Sequence, residues 1–307
     1  MSHNVSLFSL KVLQNLGFKL LTKKRNLELL EVDFENRLGL AAGLDKNGDY
    51  IDTLAALGFG FLEIGTITPL PQPGNKKPRL FRIKKDKSLI NQMGFNNKGV
   101  DHLVNKLIKR KSKIPLGISI GKNFFTKNDQ AHEDYLNCLE RVYEYSAYVA
   151  VNVSSPNTRG LRELQFDKPL DLLLSVLKRK QMELSELHGY KPLFLKISPD
   201  NSHDQLVNLL DAIIDHNIDG LICSNTSVNH NFNNGKGGLS GSLIFDQSTE
   251  LLRFSRKYLG TNFPIIASGG VMSKKDFEEK IKAGADLVQI YTGFVYEGPL
   301  LIDQILN

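Results

Sequence analysis

Little in this sequence favours chemistry built on sulfur. Two cysteines, Cys138 and Cys223, stand in 307 residues. That count excludes a disulfide framework, leaves a thiolate zinc site unsupported and suits a reducing compartment. No apolar run reaches the roughly 18 residues that a bilayer-spanning helix needs. The first residues lack a basic start and an A-x-A-like cleavage site, so no secretory signal is expected. Linkers rich in proline and serine are missing, as are low-complexity tracts. With 41% hydrophobic residues, the chain can bury a large core, and disorder is excluded as its main state. Neither sign of charge is in large excess: 39 basic and 33 acidic residues give +6. Such a balance does not demand nucleic acid, but it suits an anionic substrate or an anionic membrane surface. At roughly 150 residues per domain the length suggests about two domains, a prior that barrel folds often break.

What the sequence does contain is a recurring pattern. Short apolar runs occupy residues 38–44, 61–65, 116–120, 148–153, 193–197, 220–223, 264–267 and 287–290. Most are nearly continuous in Val, Ile, Leu, Ala and Phe rather than alternating, as parallel strands buried on both faces require. Between them, residues 101–109, 130–145, 170–187 and 203–217 carry helical spacing. Ser273, followed three residues on by Asp276, opens another helix that closes at Gly284. Eight strand–helix units predict an α/β fold: a TIM (β/α)8 barrel with a short N-terminal helical extension. An open doubly wound sheet is the alternative, disfavoured because no G-x-G-x-x-G follows the first strand.

In barrel enzymes the chemistry lies at the carboxyl ends of the strands. Here those ends carry Lys46, Thr66, Ser119, residues 152–157, Lys196, residues 224–226, residues 268–270 and residues 291–293. The segment Asn152-Val153-Ser154-Ser155-Pro156-Asn157 is the most specific. Asparagine amides offer donors and acceptors that suit a planar heterocycle with amide edges. A serine here could remove a proton if water is excluded and the reaction has a strong electron sink. No histidine adjoins it, so a hydrolase triad is not indicated; the bland alternative is an ordinary turn. Lys46 and Lys196 each follow an apolar strand. A fixed cation there can stabilise negative charge on a reduced flavin or bind a carboxylate. A Schiff-base role competes, as does a lysine snorkelling to the surface. Glycine clusters at 237–241, 268–270 and 291–293 offer backbone N–H groups where barrels often bind phosphate. The segment 5–21 has one broad apolar face, fringed by Lys11, Lys19, Lys23, Lys24 and Arg25. It suits either a helix lying on a membrane surface or a cap on the barrel.

Several motifs together resemble the dihydroorotate dehydrogenase family. They are LGLAAGLDK at 38–46, EIGT at 63–66, TPLPQPGN at 68–75, PRLFR at 78–82 and NQMGFNN at 91–97. GKN at 121–123, NVSSPNTRGL at 152–161, SNT at 224–226, GGLSG at 237–241 and VQIY at 288–291 continue the series. The resemblance runs in order from residue 38 to residue 302. Serine at position 155, where the soluble class carries cysteine, resembles the quinone-dependent, membrane-associated class 2.

The resemblance implies oxidation of dihydroorotate to orotate in de novo pyrimidine biosynthesis, with FMN as cofactor, a quinone as acceptor and no metal. It implies Ser155 as catalytic base and Lys196 as a second catalytic group. Substrate contacts are implied for Lys46, Asn91, Gln92, Met93, Gly94, Phe95, Asn152, Asn157, Asn225 and Thr226. FMN contacts are implied for Ala42, Gly43, Leu44, Asp45, Lys46, Thr66, Ser119 and Asn152. Lys196, Ser224, Gly241, Gly270, Tyr291 and Thr292 complete that set. Arg82 matches an arginine at the quinone end. Three departures stand out: Ser119 replaces a usual asparagine, Ser224 a usual threonine, and one N-terminal helix is recognisable where class 2 usually has two. The expected organisation is residues 1–34 as a membrane- and quinone-associated element and 35–307 as the FMN barrel. A monomer attached peripherally to the cytoplasmic face of the cell membrane is expected, with no nucleic-acid partner. A dihydrouridine-synthase-like RNA-modifying flavin barrel would call for a cysteine acid and an RNA-binding domain. A non-catalytic barrel would not need Ser155, Lys46 and Lys196.

Overall fold

The computed structural model describes Val12, Leu20, Thr22 and residues 26–232 and 237–307. Strands β1 (Leu27–Leu29) and β2 (Val32–Phe34) form an antiparallel hairpin. β3 (Leu38–Leu40) and β4 (Phe61–Ile67) then open a parallel sheet. β5 (Leu80–Ile83) and β6 (Ser88–Asn91) leave it as an antiparallel pair. β7 (Leu116–Ile120), β8 (Tyr148–Asn152), β9 (Leu193–Ile197) and β10 (Gly220–Cys223) extend the parallel sheet. β11 (Gly238–Gly241) joins the excursion beside β6. β12 (Ile265–Ser268) and β13 (Leu287–Ile290) complete the circle, with Ile290 opposite Leu40 of β3. The result is a closed eight-stranded parallel barrel in chain order, and closure rules out the open sheet. Each of the eight apolar runs read from the sequence supplies one barrel strand.

Helices fill the outside. α1 (Ile51–Ala55), α2 (Val100–Lys109), α3 (Ala131–Val142) and α4 (Asp167–His188) come first. α5 (His203–Asp215), α6 (Phe245–Leu259), α7 (Lys274–Lys282), α8 (Thr292–Glu297) and α9 (Pro299–Leu306) follow. The expected cap of α7 is present: Ser273 Oγ accepts from Asp276 N–H at 3.2 Å. α5 starts with a reciprocal capping box between Ser202 and Gln205, which satisfies two backbone donors that a helix start otherwise leaves unpaired.

The amino-terminal end of the barrel is plugged by rings that lie over glycines. A Cβ on Gly39 would stand 2.3 Å from Phe61 Cζ, one on Gly117 2.1 Å from Tyr148 Cζ, and one on Gly220 2.2 Å from Phe194 Cε1. Each ring thus comes from the strand beside the glycine and fills the space a side chain would take. Tyr148 and Phe194 approach to 5.1 Å between centroids. Leu27, Leu29, Leu30 and Val32 of the β1–β2 hairpin close over this layer. With that end sealed by packing, chemistry is left to the opposite end, over which β5, β6 and β11 lie as a three-stranded sheet. The helix expected over 5–21, with its basic fringe, lies outside the described residues apart from Val12 and Leu20. Among the described residues, no helix is long and apolar enough to cross a membrane.

Candidate active site

The strand ends surround one cavity with an empty volume of about 970 Å³. Lys46 enters from the loop after β3. Asp45 fixes that loop by accepting the backbone N–H groups of Asn47, Asp49 and Tyr50 at 3.2, 3.0 and 2.7 Å. Gly43 has φ +113°, and a Cβ there would lie 3.2 Å from the Tyr291 ring and 3.9 Å from Lys46 Nζ. Glycine is therefore required by the backbone, and a Cβ would also press on the Tyr291 ring. Burial, reinforced by Arg79 and Lys196, pushes the Lys46 ammonium down to about 8.

Next to it, hydrogen bonds tie the strand ends together. Asn152 Nδ2 donates to Thr66 Oγ1 at 2.8 Å, and Thr66 Oγ1 lies 2.8 Å from Ser119 Oγ. Asn152 Oδ1 accepts from Asn225 Nδ2 at 3.1 Å. Ser154 Oγ donates to the Lys196 carbonyl at 2.6 Å. These bonds fix the turn that carries Ser155, which is buried in the cavity wall and whose Oγ accepts the Asn157 N–H at 3.4 Å. Asn157 Nδ2 donates to Asn91 Oδ1 at 2.9 Å, and Asn91 Nδ2 to the Gly238 carbonyl at 3.1 Å. The covering sheet is thereby stitched to the serine turn. Arg162 braces the turn from behind, donating to the carbonyls of Ser154 and Thr226 and pairing with Asp200 at 2.8 Å.

At the floor, Lys196 Nζ lies 2.9 Å from Glu63 Oε1, with Glu63 fully buried. The other Glu63 oxygen accepts from Gln289 Nε2 at 2.7 Å and from the Tyr148 hydroxyl at 3.1 Å. The carboxylate thus takes the amide nitrogen of Gln289, so the amide oxygen is left without a partner among the described residues. Thr226 Oγ1 is likewise buried without one; both residues line the cavity. Desolvation, and then Glu63, push the Tyr148 phenol well above its ordinary range. On the far wall Tyr291 is pushed up to about 12 by burial, and Thr292 Oγ1 meets Ser240 Oγ at 2.8 Å.

Of the residues expected from the sequence, the cavity collects Ala42, Gly43, Lys46, Thr66, Asn91, Met93, Gly94, Phe95 and Asn152. It also collects Ser155, Asn157, Lys196, Ser224, Asn225, Thr226, Gly241, Gly270, Tyr291 and Thr292. The remaining five are not in its wall. Leu44 packs into the hydrophobic core, and the Asp45 carboxylate is spent on backbone N–H groups. Ser119 stands behind Thr66 and touches the cavity only through it. Gln92 binds Arg79 through its backbone N–H. Arg82 lies over the Tyr296 ring, 4.6 Å from its centroid, while Leu80 of the same strand reaches the cavity. Sequence reasoning missed Glu63, Gln289, Ser240 and Arg162. A glutamate inside an apolar strand was the available signal for Glu63.

Against known proteins, the family model described as "Dihydroorotate dehydrogenase" matches residues 25–307. The chain belongs to the dihydroorotate dehydrogenase family. It is 51% identical over 290 residues to a "Dihydroorotate dehydrogenase (quinone)" of Vibrio parahaemolyticus, covering 92% of this chain and 86% of that protein. A Methylobacillus flagellatus protein of the same name is 47% identical over 315 residues, with 99% and 94% covered. Among solved structures, the Eimeria tenella dihydroorotate dehydrogenase in complex with ferulenol is 31% identical. It superposes with a TM-score of 0.91 over 99% of this chain and 88% of that one. Family membership and barrel closure agree with the fold read from sequence, and the quinone in the relatives' names agrees with the class the sequence resembles.

Proposed function

We propose that the chain oxidises dihydroorotate to orotate in pyrimidine biosynthesis, with FMN as bound cofactor and a quinone as final acceptor. The observation that carries this reading is a buried serine sharing one cavity with two lysines and a ring of asparagines, in a member of this family. The wall fits a flavin. Gln289 Oε1 and Thr226 Oγ1 are buried polar atoms in need of partners, each costing about 1–3 kcal/mol if left unpaired. A tricyclic ring with amide edges can supply them. Gly241, Gly269 and Gly270 offer backbone unhindered by side chains for its phosphate. Held by these glycines with Thr66, Lys196 and Tyr291 around it, FMN would supply the hydride acceptor and the redox link to a quinone.

This chain's own residues supply the rest. The Lys46 ammonium binds the substrate carboxylate. Asn91, Asn152, Asn157 and Asn225 offer amide donors and acceptors to the edges of its ring. Ser155 Oγ takes the proton from C5, and loss of that proton together with a hydride from C6 leaves the C5=C6 double bond of orotate. The buried setting excludes water, and Lys196 presents a fixed positive charge to the cavity. The test is a flavin spectrum that dihydroorotate bleaches and a quinone restores; a purified full chain that binds no flavin, or whose flavin dihydroorotate leaves unchanged, overturns the reading.

Lys46 gives a pH prediction. Its folded-state value of about 8 lies below the ordinary 10.5, so the ammonium is present below about 8 and lost above it. kcat/KM for dihydroorotate, which reports the free enzyme, is expected to be flat below that value and to fall about tenfold per pH unit above it. Lys46→Met should flatten this limb and raise KM.

Residues 1–34 are proposed as the membrane- and quinone-associated element of a peripheral, monomeric enzyme on the cytoplasmic face of the membrane, with Arg82 toward the quinone end. The basic fringe of residues 5–25 and the broad apolar face between them support this. Because β1 and β2 plug the barrel, the informative truncation removes residues 2–19 and spares the hairpin. It should abolish turnover with long-tailed quinones and flotation on anionic vesicles, while bleaching by dihydroorotate persists. Full quinone turnover by the truncated chain would refute the assignment.

A further inference from the structure

Lys280 sits in the run Glu278-Glu279-Lys280-Ile281-Lys282, which reads as the solvated face of a helix. It is instead completely buried. Its Nζ donates to Ser248 Oγ at 2.7 Å, Thr249 Oγ1 at 2.8 Å and the Phe245 carbonyl at 3.3 Å, and it lies 4.7 Å from the Phe245 ring centroid. All of these belong to the beginning of α6. Among the described residues no carboxylate comes within ion-pair distance of it. Desolvation pushes the ammonium down to about 7; Cys223, Asp276 and Asp246 act from further away to raise it, and Arg253 to lower it.

The same stretch of α6 is the seat of the glycine loop after β12. The Ser248 hydroxyl that accepts from Lys280 has its one proton shared between the Phe245 carbonyl at 3.0 Å and the Gly269 carbonyl at 3.1 Å. Gly270, at φ +81°, lies so close to the helix that a Cβ would stand 2.4 Å from Phe245 Cα. Gly269 and Gly270 both line the cavity. The charge is therefore no more than two hydrogen bonds in series from the loop. Two features make it costly on its own. It is buried without an acid partner, and it stands by the first turns of a helix, where the dipole disfavours a cation. A hydroxyl or an amide could brace Ser248 without either cost. An anion held at the loop relieves both.

We propose that Lys280 is a positioning residue for the phosphate end of the cofactor. It braces the Gly269–Gly270 loop through Ser248 and Phe245, and its charge behind that loop makes the chain select a phosphorylated flavin over its neutral counterpart. The proposal rests on the reading that FMN occupies the cavity.

The experiment titrates the flavin-stripped full chain with FMN and with riboflavin, in the parent, Lys280→Met and Lys280→Gln. Lys280→Gln keeps a hydrogen-bond donor for Ser248 and Thr249 but removes the charge. Both variants are expected to lose about tenfold or more in FMN affinity, the scale of one uncompensated charge near an anion, with riboflavin affinity unchanged. Equal losses for both flavins, or FMN affinity restored in Lys280→Gln, would mean a structural brace only and overturn the proposal. Should Lys280→Met not fold, Lys280→Gln alone decides. A parent chain that binds neither flavin overturns the FMN reading itself, a result distinguishable from failure of the lysine's role.

Discussion

Ser155→Ala is expected to keep its flavin and to lose bleaching by dihydroorotate by about 10²- to 10⁴-fold, the usual contribution of a positioned base. The expectation rests on placement. Ser155 is 7% exposed, in a turn fixed by the bonds of Asn152, Ser154 and Asn157, so the variant removes one oxygen and leaves its supports in place. Among the described residues, the cavity wall contains no histidine and no carboxylate side chain. The competing base is Lys46, neutral above about 8. The two are separable by pH. With serine as base, Ser155→Ala is slow at every pH; with lysine as base, the parent rate rises through about 8 and Ser155→Ala keeps that rise. Stopped-flow bleaching at several pH values decides. Ser155→Cys should recover part of the rate, because a thiol can accept the same proton. Parent-like bleaching in Ser155→Ala would remove the serine from the mechanism.

The barrel was legible because its signal is local. A strand buried on both faces must be apolar along its length, and eight such runs recur at spacings that leave room for a helix. Lys46 and Lys196 were legible because a charge at the end of an apolar strand is conspicuous. The role of Glu63 was not. Its partners Lys196 and Gln289 lie 133 and 226 residues away, and only barrel closure brings β4, β9 and β13 around one interior. The covering sheet was missed for a similar reason. β6 pairs with β11, Ile90 opposite Leu239, and strands of four residues with mixed polarity carry little periodicity of their own. Lys280 was hidden in plain composition: two glutamates and a lysine around it describe a surface helix, and only the approach of Ser248 and Thr249 reveals burial. Of the five residues that miss the cavity wall, Leu44, Asp45, Arg82 and Gln92 belong to motifs that also hold lining residues. A motif carries its structural neighbours along with its functional members.

Lys196→Ala should damage stability and chemistry together, and the structure offers a way to separate them. Removing the ammonium strands the fully buried Glu63 carboxylate, leaving it, among the described residues, Gln289 and the Tyr148 hydroxyl. Breaking a buried pair from one side typically costs about 3–5 kcal/mol. Glu63→Gln alone strands the lysine instead and should cost a similar amount. In the double variant Lys196→Ala with Glu63→Gln neither charge of the pair remains, so most of that stability should return, because neutral replacements of a buried pair are often close to neutral in energy. The positive charge at the cavity does not return. The double variant should therefore unfold at nearly the parent denaturant midpoint while its flavin potential, read by dye equilibration, stays below that of the parent and bleaching stays slow. Glu63→Gln should move the potential the other way, since it leaves the cation less neutralised. If stability and potential recovered together in the double variant, Lys196 would act only by keeping Glu63 paired. A potential that stayed low at restored stability would assign the fixed charge to the chemistry.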